Sequence, residues 1–264
     1  NGIVSQIDIH KAYGGVVPEV AARSHIEAII PTLDESIKQA FGNDKTRHAW
    51  DEIDGIAVTY GAGLGGALLI GSLTARTLAV AKNKPLYACN HVEGHVYANF
   101  VTSTTLDGYS LPKRSPEFPL LALIVSGKHS QLVLFKDHFD YIILGKTYDD
   151  AIGEAFDKVA KMTGLPYPGG PAVARAALNG DAYAFELPKA QMEGPYDSSF
   201  SGLKTAVLRK AQFLCGRDYR TPSFELPSLL TQKQINDIAA VFQRTAIETM
   251  VGKMARAYEE FQPR

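Results

Sequence analysis

At 264 residues the chain is longer than one small core requires, and 45% hydrophobic with 21% charged residues is an ordinary globular balance, so one large domain or two lobes is expected. No stretch is apolar for long enough to span a bilayer, and the two cysteines, Cys89 and Cys215, stand in unrelated contexts that exclude a disulfide framework or a CxxC metal knuckle; a soluble protein of a reducing cytoplasm is expected. With a net charge of −1, a nucleic-acid partner has to be met by a local basic patch.

The opening, Asn1-Gly2-Ile3-Val4-Ser5, has neither a secretory pattern nor an initiator Met, and the chain stops just after a long amphipathic stretch at Arg264; both ends read as cut. After a start rich in β-formers, Gly14-Gly15-Val16-Val17-Pro18 breaks the chain. Glu19 to Phe41 carries apolar residues at helical spacing, and Pro31 in its middle predicts two helices. Ile53 to Tyr60 predicts a strand ending at glycines, Gly61 to Gly66 a loop, and Ala67 to Lys82 the helix behind it. Pro85 to Cys89 predicts another strand, followed by a helix that carries His91 and His95. Strand then helix, twice, argues for an α/β sheet. Leu120 to Ser126 and Gln131 to Phe135 flank Gly127-Lys128-His129-Ser130 in a hairpin pattern. Asp149 to Met162 predicts a helix, with Thr147 or Asp149 as its cap and Gly164 as its end. Tyr167 to Ser228 reads as loop-rich and polar, and Ile235 to Phe261 as a long final helix.

The sharpest chemical signal is His91-Val92-Glu93-Gly94-His95: positions i and i+4 share a helix face and present two imidazoles to one ion. Two half-buried helix histidines would look the same; the place of this pair directly after a strand, where sheet enzymes hold their ligands, favours a site. A third ligand is needed, and Cys89 is a weak candidate because strand alternation points it into the core. In the zinc-protease pattern HExxH the general base follows the first histidine, where Val92 stands here, and Glu93 lies about 200° round the helix from His91.

The turn Ser126-Gly127-Lys128-His129-Ser130 is either a plain β-turn or a cradle in which backbone N–H groups approach a phosphate and Lys128 adds a cation. Gly61, Gly63 and Gly66 match GxGxxG, but no acidic residue follows ~20 positions on, and close packing of helix on strand is the better explanation. Tyr167-Pro168-Gly169-Gly170-Pro171 predicts a shaped loop. Asp150, Glu154 and Asp157 fall on one helical stripe; a solvated face is the default, although Asp157 suits a ribose hydroxyl. Lys204, Arg209 and Lys210 form a modest basic group after Ser199-Phe200-Ser201-Gly202.

Taken in order, Gly14 to Glu19, His91 to His95, Val125 to Ser130, Gly153 to Lys158, Tyr167 to Pro171 and Ser199 to Lys204 resemble the blocks of the TsaD/Kae1/Qri7 family, bacterial branch, and they cover nearly the whole chain. The resemblance implies the two-lobed α/β fold of actin, sugar kinases and Hsp70 (the ASKHA fold). The first lobe, 1–118, would lack its first strand and hold the metal helix; the second, 119–264, would hold the nucleotide hairpin and a helical insertion and lack its C-terminal part. It implies transfer of threonylcarbamoyl from threonylcarbamoyl-adenylate to N6 of the adenosine beside the tRNA anticodon, with release of AMP. His91 and His95 would bind one divalent metal per subunit, iron ahead of zinc, and Ile124, Val125, Ser126, Gly127 and Lys128, with Asp157 and Gly170, would hold the adenylate.

The implied partners are tRNA, a TsaB-like paralogue and a TsaE-like ATPase, with no membrane. Lys128 departs from the family, which has a second glycine there, and the missing end segments predict incomplete nucleotide and metal sites. A metallopeptidase and a non-catalytic scaffold are the rival functions.

Overall fold

The computed structural model describes residues 2–11, 13, 16–43, 48–104 and 108–264, so Gly14 and Gly15 of the first motif block lie outside the described residues. The chain divides into two compact units, Asn1–Pro112 and Lys113–Arg264, against the expected lobes of 1–118 and 119–264.

In the first unit the expected strand–helix–strand–helix order is present. Strand β1 (Ile56–Gly61) pairs in parallel with β2 (Leu86–Asn90), Ile56 opposite Leu86 and Thr59 opposite Cys89. Helix α4 (Gly65–Lys82) makes the crossover, as a parallel pair requires. It ends at Asn83 in the left-handed region, φ 49°, which asparagine tolerates. Helix α5 (His91–Tyr97) follows β2 directly. Before β1 come α1 (Ile7–Lys11), α2 (Pro18–Phe41) and α3 (Ala49–Glu52).

The opening, rich in β-formers, contains helix α1. Two expectations are corrected in this unit. Helix α2 is one continuous helix of 24 residues through Pro31: the proline forfeits one intrahelical hydrogen bond, and packing on α4 carries the helix past it. The tightest approach at the glycine loop is of helix on helix, since a Cβ on Gly66 would stand 2.9 Å from Ala22 Cβ of α2.

The second unit begins with an antiparallel meander of β3 (Leu120–Val125), β4 (Ser130–Asp137) and β5 (Asp140–Lys146). The first pair is the expected hairpin, with Val125 opposite Ser130; β5, an apolar run after the turn at Asp137–Asp140, was not expected. Helices α6 (Ile152–Met162), α7 (Gly169–Ala177), α8 (Ser201–Leu214) and α9 (Gln232–Phe261) follow. Between Ile238 and Phe242 every residue of α9 is buried, as befits a helix packed on all sides; α6, α7 and α8 pack against it. Phe156 of α6 meets Phe242 edge-on at 4.8 Å, and Val159, Val173, Phe200, Val207 and Leu226 complete the core.

The stretch Tyr167 to Ser228 is therefore less loop-rich than expected, because it contains α7 and α8. The Pro-Gly-Gly-Pro segment is corrected from loop to helix start: Gly169, Gly170 and Pro171 form the first turn of α7, where the N–H that proline lacks has no helical partner in any case. Among the described residues, no helix is long and apolar enough to cross a membrane.

Candidate functional site

The histidine pair is positioned by Asn90. It caps α5, its side chain accepting the N–H groups of Val92 at 2.9 Å and Glu93 at 3.3 Å, so the helix starts at His91. Asn90 was not among the expected site residues, although an Asn three residues before a Glu after a strand is a legible cap signal. From this first turn His91 Nε2 and His95 Nε2 converge to 3.2 Å, with ring centroids 4.5 Å apart. Both rings are exposed.

The 3.2 Å separation is a hydrogen-bond distance, and it is also what one ion imposes: two nitrogens at about 2.1 Å from a metal and about 100° apart lie that far from each other. The donor set thus fits two neighbouring positions of a coordination sphere. Among the described residues no group of three His, Cys, Asp or Glu that could hold a metal ion converges. Cys89 is corrected: it is exposed, not turned into a core, because the two-stranded sheet leaves β2 uncovered. Gly94 lies about 60° round the helix from His91, on the side away from His95, and a Cβ there would enter open space.

The seven residues expected to hold an adenylate all lie in the second unit, where hydrogen bonds join their elements in a chain. The hairpin turn carries the start of α6: Gly153 N–H donates to the Ser126 carbonyl at 3.2 Å, and Ile152 N–H to the hydroxyl of buried Ser130 at 2.9 Å. Neither Thr147 nor Asp149 caps α6 as expected; Thr147 bonds the Asp150 carbonyl, and Ser130 does the capping. The turn packs so closely that a Cβ on Gly153 would stand 2.6 Å from the Ser126 oxygen. One turn along α6, Asp157 accepts the N–H of Gly169 at 2.7 Å and so ties α7, with Gly170 next in line, to α6.

Within the turn, Ser126 Oγ accepts the N–H groups of Lys128 at 3.3 Å and His129 at 3.0 Å, so two donors of the proposed phosphate cradle are already engaged. Ile124 is buried while Val125, Gly127 and Lys128 are exposed. Added Cβ atoms at Gly127 and Gly170 meet nothing, so their small size serves no packing need.

Burial pushes the Asp157 carboxyl above the usual aspartate range; the Gly169 N–H only partly offsets this, and the nearby Glu154 charge adds to it. Asp149 is the opposite case. Burial pushes it up, but the hydroxyls of Ser199 and Ser201 and the N–H groups of Phe200 and Ser201 outweigh that and hold it below the usual range. These contacts make Asp149 the cap of α8. Asp150 accepts Lys158 at 2.6 Å and Lys204 at 2.9 Å, which with burial opposing keeps it low. The stripe of Asp150, Glu154 and Asp157 is thus corrected from a solvated face: Asp150 precedes the helix and is held by two lysines, and Asp157 holds α7.

The expected basic group does not form one patch. Lys204 turns to Asp150, Arg209 donates to the Tyr219 carbonyl at 3.0 Å, and Lys210 lies over the Phe185 ring at 4.7 Å.

A family model described as TsaD, tRNA N6-adenosine threonylcarbamoyltransferase, matches residues 1–264. A protein of Thermomicrobium roseum named tRNA N6-adenosine threonylcarbamoyltransferase is 47% identical over 268 residues, covering 99% of this chain and 71% of its own. Relatives of the same name from Symbiobacterium thermophilum and Dehalococcoides mccartyi are 45% and 44% identical, covering 98% and 99% of this chain and 67% and 70% of theirs.

Proposed function

This chain belongs to the TsaD family, and from that premise we propose that it transfers the threonylcarbamoyl group from threonylcarbamoyl-adenylate to N6 of the adenosine beside the tRNA anticodon. The observation that carries the chemical reading is the convergence of His91 and His95 to 3.2 Å on a helix fixed by its Asn90 cap. These two imidazoles would hold one divalent metal, iron ahead of zinc, and when bound it would supply Lewis-acid polarisation of the carbamoyl carbonyl. The open space over Gly94 leaves the flank of His91 free for substrate.

In the transfer, the N6 amine attacks the carbamoyl carbon, a C–N bond forms, the C–O bond to the phosphate breaks, and AMP leaves as N6 gives up a proton. The second unit's part is to orient the leaving nucleotide. Asp157, whose second oxygen is not used by Gly169, would accept a ribose hydroxyl; Gly127 and Gly170 would let the nucleotide approach the backbone; Lys128 would meet the phosphate. Support for reading the units as the two lobes of an actin-like fold is the β1–α4–β2 crossover in one and the meander followed by helices in the other. A TsaB-like paralogue, a TsaE-like ATPase and a cytoplasmic location complete the proposal by family resemblance. A protease reading is disfavoured by Val92 in the general-base position.

The test combines AMP release and N6 modification of tRNA with metal analysis. Wild-type protein should transfer; a His91→Ala/His95→Ala variant should lose transfer and about one equivalent of metal per chain. Equal metal content in the two proteins would remove the metal assignment, and absence of AMP release in the presence of both substrates and partners would remove the activity.

A further inference from the structure

A cleft of about 470 Å³ opens in the second unit between α6, α8 and residues 223–227. Its floor is apolar, from Met162, Leu208 and Pro227, and its walls carry Lys158, Lys161 and Lys204. Lys158 and Lys204 are engaged with Asp150, and Lys158 also with Glu154 at 2.7 Å. Lys161, nearly one turn beyond Lys158, has no carboxylate partner among the described residues. At the mouth stands Phe224, 78% exposed, a bare aromatic face beside a cation.

The surface continues along the chain. Tyr219, 64% exposed, has two guanidinium groups within cation–π reach, Arg209 at 5.8 Å and Arg220 at 5.6 Å from its ring centre. Buried Gln212 of α8 donates to the Thr221 carbonyl at 2.7 Å and pins this segment to the helix, so the aromatic faces are held rather than loose. From Lys204 to Glu225 the chain carries Lys204, Arg209, Lys210, Arg217 and Arg220 against Asp218 and Glu225, a local charge of +3 in a chain of net −1, with Lys204 itself turned to Asp150.

Exposed rings alternating with cations on a fixed surface match the needs of a single strand of nucleic acid, whose bases stack on any aromatic face and whose phosphates want cations. An acidic peptide would use the cations but leave the rings bare. We propose that this cleft and the adjoining 219–224 segment bind a single-stranded stretch of RNA, with a base on Phe224 and phosphates on Lys161 and Arg220; that the strand belongs to the tRNA rests on the function proposed above.

The test is direct binding of a labelled single-stranded oligoribonucleotide, of a duplex of the same sequence and of tRNA, to the wild type and to Phe224→Ala and Lys161→Ala, with far-UV circular dichroism as the check on folding. Both side chains lie at the surface of the cleft, so both variants should fold. Loss of one stacking platform should raise Kd for the single strand roughly 5- to 150-fold. Loss of the Lys161 contact should lower the salt slope by about 0.7. No binding of the single strand, equal binding of the duplex, unchanged Kd and slope in the variants, or full displacement of RNA by an acidic peptide would each overturn the proposal. Because binding is read without catalysis, a chain that fails to transfer but binds RNA through Phe224 keeps this site, and one that transfers with Phe224→Ala affinity unchanged loses it.

Discussion

Gly94 occupies the middle of α5, where alanine would serve the helix better: glycine in a helix interior is less stable than alanine by roughly 0.5–1 kcal/mol, and nothing stands where its Cβ would be. A glycine that costs the helix stability beside His91 is explained by what has to approach the imidazole pair. Gly94→Ala should raise the stability of the first unit by about that 0.5–1 kcal/mol while lowering transfer, read as urea midpoint and AMP release. A variant as active as the wild type would remove the glycine from the site. Asp157 shows the same tension. Its raised pKa means that the folded state keeps the proton longer, so its contribution to stability is complete below the ordinary aspartate value of about 3.9 and is lost as pH rises through the folded value. Asp157→Asn should therefore abolish this pH dependence and leave the urea midpoint at pH 7 equal or higher. An amide oxygen still accepts the Gly169 N–H, but the variant should bind an adenylate analogue more weakly; a lower midpoint at pH 7 would show the carboxylate to be structural.

At the scale of elements, three helices of the second unit start on side chains from elsewhere: α6 on Ser130, α7 on Asp157 and α8 on Asp149. Helix starts leave N–H groups without partners, and here distant residues supply the acceptors, locking the motif blocks to each other. Asp149→Ala should destabilise the second unit by about 0.5–2 kcal/mol, measured as a shift in the unfolding midpoint. Its depressed pKa gives the sign: the stabilisation is complete above about pH 4 and disappears as pH falls through the folded value, so wild type and variant should converge in acid. A gap that persists in acid would assign the loss to packing. Such long-range caps explain which elements were legible beforehand. Strands β1 and β2, the hairpin of β3 and β4, and helices α4, α6 and α9 rest on local periodicity and were expected close to their observed ends, and α5 was expected in its observed place after β2. Helix α7 was not, because Gly169 and Gly170 begin it only with Asp157 as acceptor, a contact 12 positions away. Continuity of α2 through Pro31 likewise depends on α4 and not on its own residues. The histidine pair needed only i, i+4 spacing to be found, whereas the cleft at Phe224 joins three separated segments and left no local pattern beyond its charge.

At the scale of the whole molecule the two units are unequal. Buried apolar side chains of the second unit include Phe135, Phe200, Leu226, Ile238 and Phe242, while those of the first, among the described residues, are Ala21, Ala49, Ala75, Ala79 and Val96. Burying an alanine removes far less apolar area from water than burying a phenylalanine or leucine, so at about 25 cal/mol per Å² the first unit has much the smaller favourable term. It also leaves Ile26, Ile30, Leu69, Leu73 and Val80 exposed on α2 and α4. Stability should therefore be lowest in the first unit and highest around α9. The single tryptophan, Trp50, lies in the first unit, 5.2 Å from Lys82 Nζ, so its fluorescence reports that unit alone. Far-UV circular dichroism reads both units almost equally, with 58 α-helical residues in the first and 64 in the second, so it carries the later unfolding of the second unit that Trp50 does not see. In a urea titration the Trp50 transition should precede the dichroism midpoint, and the two curves should not superimpose, since unfolding in two steps breaks two-state behaviour. Hydrogen exchange should agree, with amides of Ile238–Met250 the slowest and those of α4 and β2 fast. Coincident transitions with equal protection of α4 and α9 would show that the units unfold as one and that the small core of the first is not what sets its stability.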